Sequence, residues 1–116
     1  MRIENFSFGS VDIDGRTYTH DVVIEGDRVR KRHKELSKPH RAAFGHTPLS
    51  TEESIPWDCR RLVVGTGADG MLPVMEDVRA EARRRHVDLV TVPTEQAIEL
   101  LARDPKHTNA ILHVTC

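Results

Sequence analysis

Aromatic side chains are scarce in this sequence: Phe, Tyr and Trp together make up 4% of it, with a single Trp and a single Tyr. Aliphatic residues must therefore supply most of the core, and the interleaved aromatics that would stack on unpaired bases are missing. Cysteine is nearly absent as well, two in 116 residues, and a chain of this length buries about two-thirds of its unfolded surface without a covalent staple. No apolar run approaches the ~20 residues of a membrane span, and the Met1 end lacks the basic-then-apolar pattern of a signal peptide. A cytoplasmic protein with no membrane partner is the expectation. Excess charge of one sign is also lacking: the formal net charge is −1 although 30% of residues are charged. Non-specific attraction to nucleic acid needs a sustained positive field, so no nucleic-acid partner is expected.

What is present divides a single α/β domain into three parts. Residues 1–32 read as an antiparallel β meander: Phe6, Phe8, Val11 and Ile13 precede Asp14-Gly15, a pair suited to a type I′ hairpin turn. Residues 16–24 form the return strand, bent near His20-Asp21, and residues 28–32 form a polar third strand at an exposed edge. The basic run from Arg28 to Arg41 holds seven Lys and Arg against the single acid Glu35. It reads as a solvated edge or loop, with a patch for an acidic partner as the alternative. Residues 33–58 lose all periodicity, are broken by Pro39, Gly45, Pro48 and Pro56, and suggest only a helical turn near residues 50–54.

Residues 59–116 are regular. Strands are expected at 61–64, 88–92 and 109–115, and helices at 73–86 and 95–103, the second capped by Thr94. This βαβαβ order requires parallel strands, whose C-terminal ends share one sheet edge, the place where open α/β sheets take ligands. The stretch Gly65-Thr66-Gly67-Ala68-Asp69-Gly70-Met71 follows the first of these strands and satisfies G-x-G-x-x-G. Three features argue against a dinucleotide: Pro73 delays the helix, Asp69 puts a negative charge where a pyrophosphate would sit, and no acid ends the next strand.

The candidate ligand site is therefore a small-anion pocket formed by Gly65, Thr66, Gly67, Met71, Thr94, His113 and Cys116, with backbone N–H groups as donors. Each has a structural alternative: His113 a satisfied core histidine, Cys116 a small hydrophobe, Thr94 a helix cap, Met71 core packing. A further alternative has the chain-terminal carboxylate filling the glycine-turn donors as an internal lock. A Cys59–Cys116 disulfide is excluded, because the two lie at opposite ends of parallel strands, roughly 15 Å apart. His33, His40 and His46 match no compact zinc motif, so neither a metal nor another cofactor is expected. Nor is any Ser-His-Asp or nucleophile-elbow pattern present. These residues point to a binding or scaffold domain without enzymatic activity, the alternative being a small enzyme using Cys116 or His113.

Taken in order, Phe8-Gly9, Asp14-Gly15, Tyr18, His20-Asp21-Val22, Gly65 to Met71, Pro93-Thr94 and Ala110-Ile111-Leu112-His113-Val114-Thr115-Cys116 resemble the adipogenesis-associated Mth-domain family. Its relatives include a mitochondrial assembly factor for respiratory complex I. The resemblance implies a three-layer β/α domain, with an antiparallel N-terminal part packed on a mixed sheet flanked by helices, and no established enzymatic activity. Residues 38–57 depart from the shorter members and resemble a prokaryotic-type elaboration.

Overall fold

The computed structural model describes all residues, 1–116. Strands β1 (Ile3–Ser7), β2 (Ser10–Ile13) and β3 (Arg16–Tyr18) make a three-stranded antiparallel sheet. Asp14 and Gly15 both take positive φ, 50° and 81°, as a type I′ turn requires. The second sheet has five strands in the order β5-β4-β8-β6-β7. In it β4 (Val22–Glu25) pairs antiparallel with β5 (Arg28–Lys31) and β8 (Thr108–Leu112), while β6 (Arg61–Gly65) pairs parallel with β7 (Asp88–Val92) and β8. The bend expected at His20-Asp21 is thus a change of sheet. The first 32 residues do not form one meander, because β4 and β5 join the mixed sheet instead.

Side-chain alternation along the central strands builds two cores, one on each face. Val22, Ile24, Val63, Ala110 and Leu112 face Val11 and Ile13 of the small sheet and Ala97 of helix α3 (Thr94–Arg103). Val23, Leu62, Val64 and Ile111 face Leu49, Ile55 and Val78, the last on helix α2 (Glu76–Arg84). The layers are therefore the small sheet with α3, the mixed sheet, and α2 with part of the 33–58 segment.

Helix α2 begins three residues later than the sequence suggests, because residues 73–75 are used elsewhere. Leu49 N–H donates to Pro73 O at 2.9 Å and Met75 N–H to Leu49 O at 3.0 Å, a parallel bridge that holds this stretch extended. The 33–58 segment is also more regular than expected. It contains a 3-10 helix, Lys34–His40, and one helical turn α1, Arg41–Phe44, ended by Gly45 at φ 75°. Residues 51–53 form a turn rather than a helix. No helix is long and apolar enough to cross a membrane.

Candidate functional site

The glycine turn leaves β6 at the edge where the parallel strands end, and most of its donors are already occupied. Thr66 N–H donates to Val92 O at 2.8 Å, Ala68 N–H to Thr115 O at 2.7 Å, Met71 N–H to Cys116 O at 2.9 Å and Leu72 N–H to Thr66 O at 3.0 Å. Gly67 N–H donates to Thr94 Oγ1 at 2.8 Å, and that hydroxyl donates onward to His113 O at 2.7 Å. Thr94 is therefore a tie between the turn and β8, not a helix cap, and Pro93 occupies the cap position of α3. An ideal Cβ on Gly67 (φ 106°) would lie 2.4 Å from the carbonyl carbon of Cys116, so only glycine lets the 113–116 segment seat here. The seven predicted residues are brought to one edge, six of them buried or half-buried. Met71 is the exception: its side chain is 51% exposed and does not pack in the core.

Below this edge lies a buried ionic chain that sequence reasoning missed. Arg32, expected on a solvated edge, is 2% exposed. Its guanidinium donates to Glu53 through Nε (2.7 Å) and Nη2 (2.8 Å), to Asp21 Oδ2 through Nη1 (2.9 Å), and to Pro48 O (3.0 Å). Ser37 Oγ donates to Glu53 Oε2 at 2.5 Å and meets Ser50 Oγ at 2.7 Å, so the chain fastens the 33–58 segment to the mixed sheet. Asp21 also accepts from Val114 N–H at 2.9 Å and pairs with His113 Nδ1 at 2.8 Å. The other ring nitrogen, His113 Nε2, meets Thr115 Oγ1 at 3.1 Å.

Burial would raise the Asp21 pKa, but the His113 hydrogen bond and charge, the Val114 N–H and Arg32 outweigh it and hold the group at about 2, below its ordinary 3.8. A carboxyl whose pKa is depressed by folding stabilises the fold above its unfolded pKa. That contribution is lost as pH falls through the folded value. Asp21 is therefore expected to stabilise the protein by on the order of 2 kcal/mol above pH ~4, and to lose that contribution between pH ~4 and ~2. Acid unfolding followed by circular dichroism should show this component in the parent protein and not in Asp21→Asn.

The open volume at this edge is a cleft of about 240 Å³ beside the 113–116 segment. His113, Thr115 and Cys116 line it together with Lys34, Lys38, Arg41 and His46 from the 3-10 helix, α1 and the turn that follows. A second depression of about 340 Å³ shares Arg32, Lys34, Lys38 and Thr115 with it. The guanidinium of Arg32 is neutralised by Asp21 and Glu53, whereas Lys34, Lys38 and Arg41 enter no ion pair. The cleft therefore carries three cationic side chains without an ion-pair partner in a molecule of formal charge −1. The sequence signal for it is the basic run itself, in which Lys34, Lys38 and Arg41 meet the single acid Glu35.

No three His, Cys, Asp or Glu side chains are grouped to hold a metal ion. Both cysteines are free. Burial pushes the Cys59 thiol above its ordinary pKa, and it donates to Pro56 O at 3.4 Å, a protonated and unreactive arrangement.

The chain belongs to a protein family of unknown function, DUF498/DUF598, which matches residues 3–112. Among solved structures it is similar to a conserved hypothetical protein, PH1505 from Pyrococcus horikoshii OT3, at 35% identity over the whole of both chains with a TM-score of 0.86. It is similar as well to a protein described as MT938, at 26% identity over 99% of this chain and 98% of that one, TM-score 0.69. A Mth938-like domain from Bordetella pertussis shares the fold at 16% identity over 97% and 85% of the two chains, TM-score 0.61. No curated protein matches the chain.

Proposed function

We propose that this Mth938-like domain is a cytoplasmic binding module whose basic cleft takes a small anion, carboxylate or phosphate, free or displayed by a partner protein. The observation that carries this reading is the set of cations without an ion-pair partner, Lys34, Lys38 and Arg41, around an open volume that His113 and Thr115 also line. The glycine turn supports it indirectly: with its amides bonded to Thr94, Thr115 and Cys116, it fixes one wall of the cleft. Resemblance to the adipogenesis-associated Mth-domain family, with its complex I assembly factor, favours a partner-borne anion and an assembly-type scaffold role. An enzymatic role through His113 or Cys116 is the second reading, favoured by the position of His113 between Asp21 and Thr115.

The test is a thermal-shift titration with inorganic phosphate at constant ionic strength. Ligand binding to the folded state raises Tm by mass action, so phosphate should raise the Tm of the parent protein and leave that of Lys38→Glu/Arg41→Glu unchanged. Both side chains are exposed, so the variant keeps its fold. Equal shifts in the two proteins, or none in either, would refute the cleft. A shift that arises only after Cys116 is deleted would assign the anion to the glycine-turn amides instead.

A further inference from the structure

We infer that the Asp21–His113–Thr115 chain makes the basic cleft a hydrolytic site for small carboxylic esters that carry their own negative charge. In this site Thr115 Oγ1 is the nucleophile and His113 its base. The inference rests on the reading of the cleft as an anion site and adds a reaction to it.

The proton positions follow from the geometry. Asp21 is ionised throughout the neutral range, and its Oδ2 lies 2.8 Å from His113 Nδ1. A carboxylate only accepts, so Nδ1 carries the proton. In the neutral ring Nε2 then holds a lone pair, and its neighbour at 3.1 Å, Thr115 Oγ1, must be the donor. The hydroxyl proton is thus already directed at a base whose tautomer is set by a buried carboxylate. This is the relation that activates a hydroxyl nucleophile in hydrolases of several unrelated folds.

Each member is also held in place. Asp21 is fixed by Val114 N–H at 2.9 Å and by Arg32, and the Thr115 backbone is tied through its carbonyl to Ala68 N–H at 2.7 Å. A purely structural pin between the start of β4 and the end of β8 would need Asp21, His113 Nδ1 and Val114 N–H. It would not need a hydroxyl on Nε2 that lines an open, cationic cleft. Lys38 and Arg41, in the same cleft, supply charge to hold the ester's own carboxylate.

The step balances without a further reactant except water. Thr115 Oγ1 bonds to the ester carbonyl carbon while its proton passes to His113 Nε2. The bond to the leaving alcohol breaks, and the alcohol departs with that proton. Water then bonds to the acyl carbon and gives a proton to His113. The Thr115 ester breaks, and Oγ1 recovers the proton as the carboxylic acid leaves. Asp21 is a positioning residue.

The probes are 4-nitrophenyl hydrogen succinate, which is anionic, and 4-nitrophenyl acetate, which is neutral. The full chain is expected to release nitrophenolate and to show a transient succinyl adduct that peptide mapping places on Thr115. Thr115→Val and His113→Gln should each lower kcat/KM by about a hundredfold. Thr115→Ser should retain most of the activity, and Lys38→Met should raise KM for the anionic ester only. Equal rates in the parent protein and Thr115→Val, or acylation confined to lysines, would overturn the inference. If phosphate stabilises Thr115→Val as it does the parent protein while neither cleaves ester, hydrolysis fails and the anion site stands. If phosphate stabilises neither and Thr115 is still acylated, the anion reading fails alone.

Discussion

Replacing Arg32 by methionine is expected to lower folding stability by about 3–5 kcal/mol, because it leaves Asp21 and Glu53 buried without their cation. For a chain of this size that corresponds to a fall in Tm of roughly 10–20 °C. Arg32 donates four hydrogen bonds to carboxylate and carbonyl oxygens at 2.7–3.0 Å, and methionine can make none of them. Packing is a minor part of the loss, since methionine fills most of the same volume. Arg30→Met serves as the control. Arg30 lies two residues away on edge strand β5 and makes one exposed hydrogen bond, to Ser54 O at 2.6 Å, so its replacement should stay within about 0.5 kcal/mol. Urea unfolding of both variants checks the contrast. A double variant, Arg32→Met with Glu53→Met, should recover part of the loss, because one stranded charge is removed with its partner.

Gly67→Ala should cost a comparable amount, about 3–5 kcal/mol, from positive-φ strain together with overpacking. At φ 106° an added Cβ would meet Cys116 C at 2.4 Å, Cys116 O at 2.7 Å and His113 Cδ2 at 2.8 Å. Two of those atoms are backbone, so relief requires the 113–116 segment to move, which would also pull His113 from Asp21. Gly70→Ala is the informative comparison. Gly70 also has positive φ, 68°, but its nearest neighbours would be 3.6 Å away, so only the left-handed penalty of about 1–2 kcal/mol applies. Hydrogen exchange at Val114 and Ala68 should accelerate in Gly67→Ala and remain near the parent rate in Gly70→Ala.

These two sites also show what is and is not legible in the sequence. The parallel strands are readable because each is a short aliphatic run closed by a turn signal, and 88–92 matches β7 residue for residue. Topology then brings Gly67, Thr94, His113 and Cys116 to one edge, as the strand directions require. The fate of the turn's amides is not readable. Hydrogen-bond donors look free in a sequence, and only the three-dimensional course of residues 92–94 and 113–116 shows that most of them are occupied.

Arg32 escapes sequence reasoning for a related cause. Within a basic run every cation looks solvated, and the partners that make burial tolerable, Asp21 and Glu53, lie 11 and 21 residues away. Strand alternation gives no warning, because Arg32 stands one residue beyond the end of β5. The 33–58 segment reads as irregular because a 3-10 helix with Pro39 inside it lacks the 3.6-residue apolar period used to find helices. Its excess of basic residues, Lys34, Lys38 and Arg41 among them, is the signal that survives.

The anion proposed for this cleft can be sought directly. The most direct measurement is a two-dimensional 15N–1H NMR titration of the full chain with inorganic phosphate at constant ionic strength. Saturable shifts confined to Lys34, Lys38, Arg41, His46, Thr115 and Cys116, and absent from Lys38→Glu/Arg41→Glu, are the predicted result. Shifts centred on other parts of the surface, or shifts that grow linearly with phosphate without saturating, would contradict it.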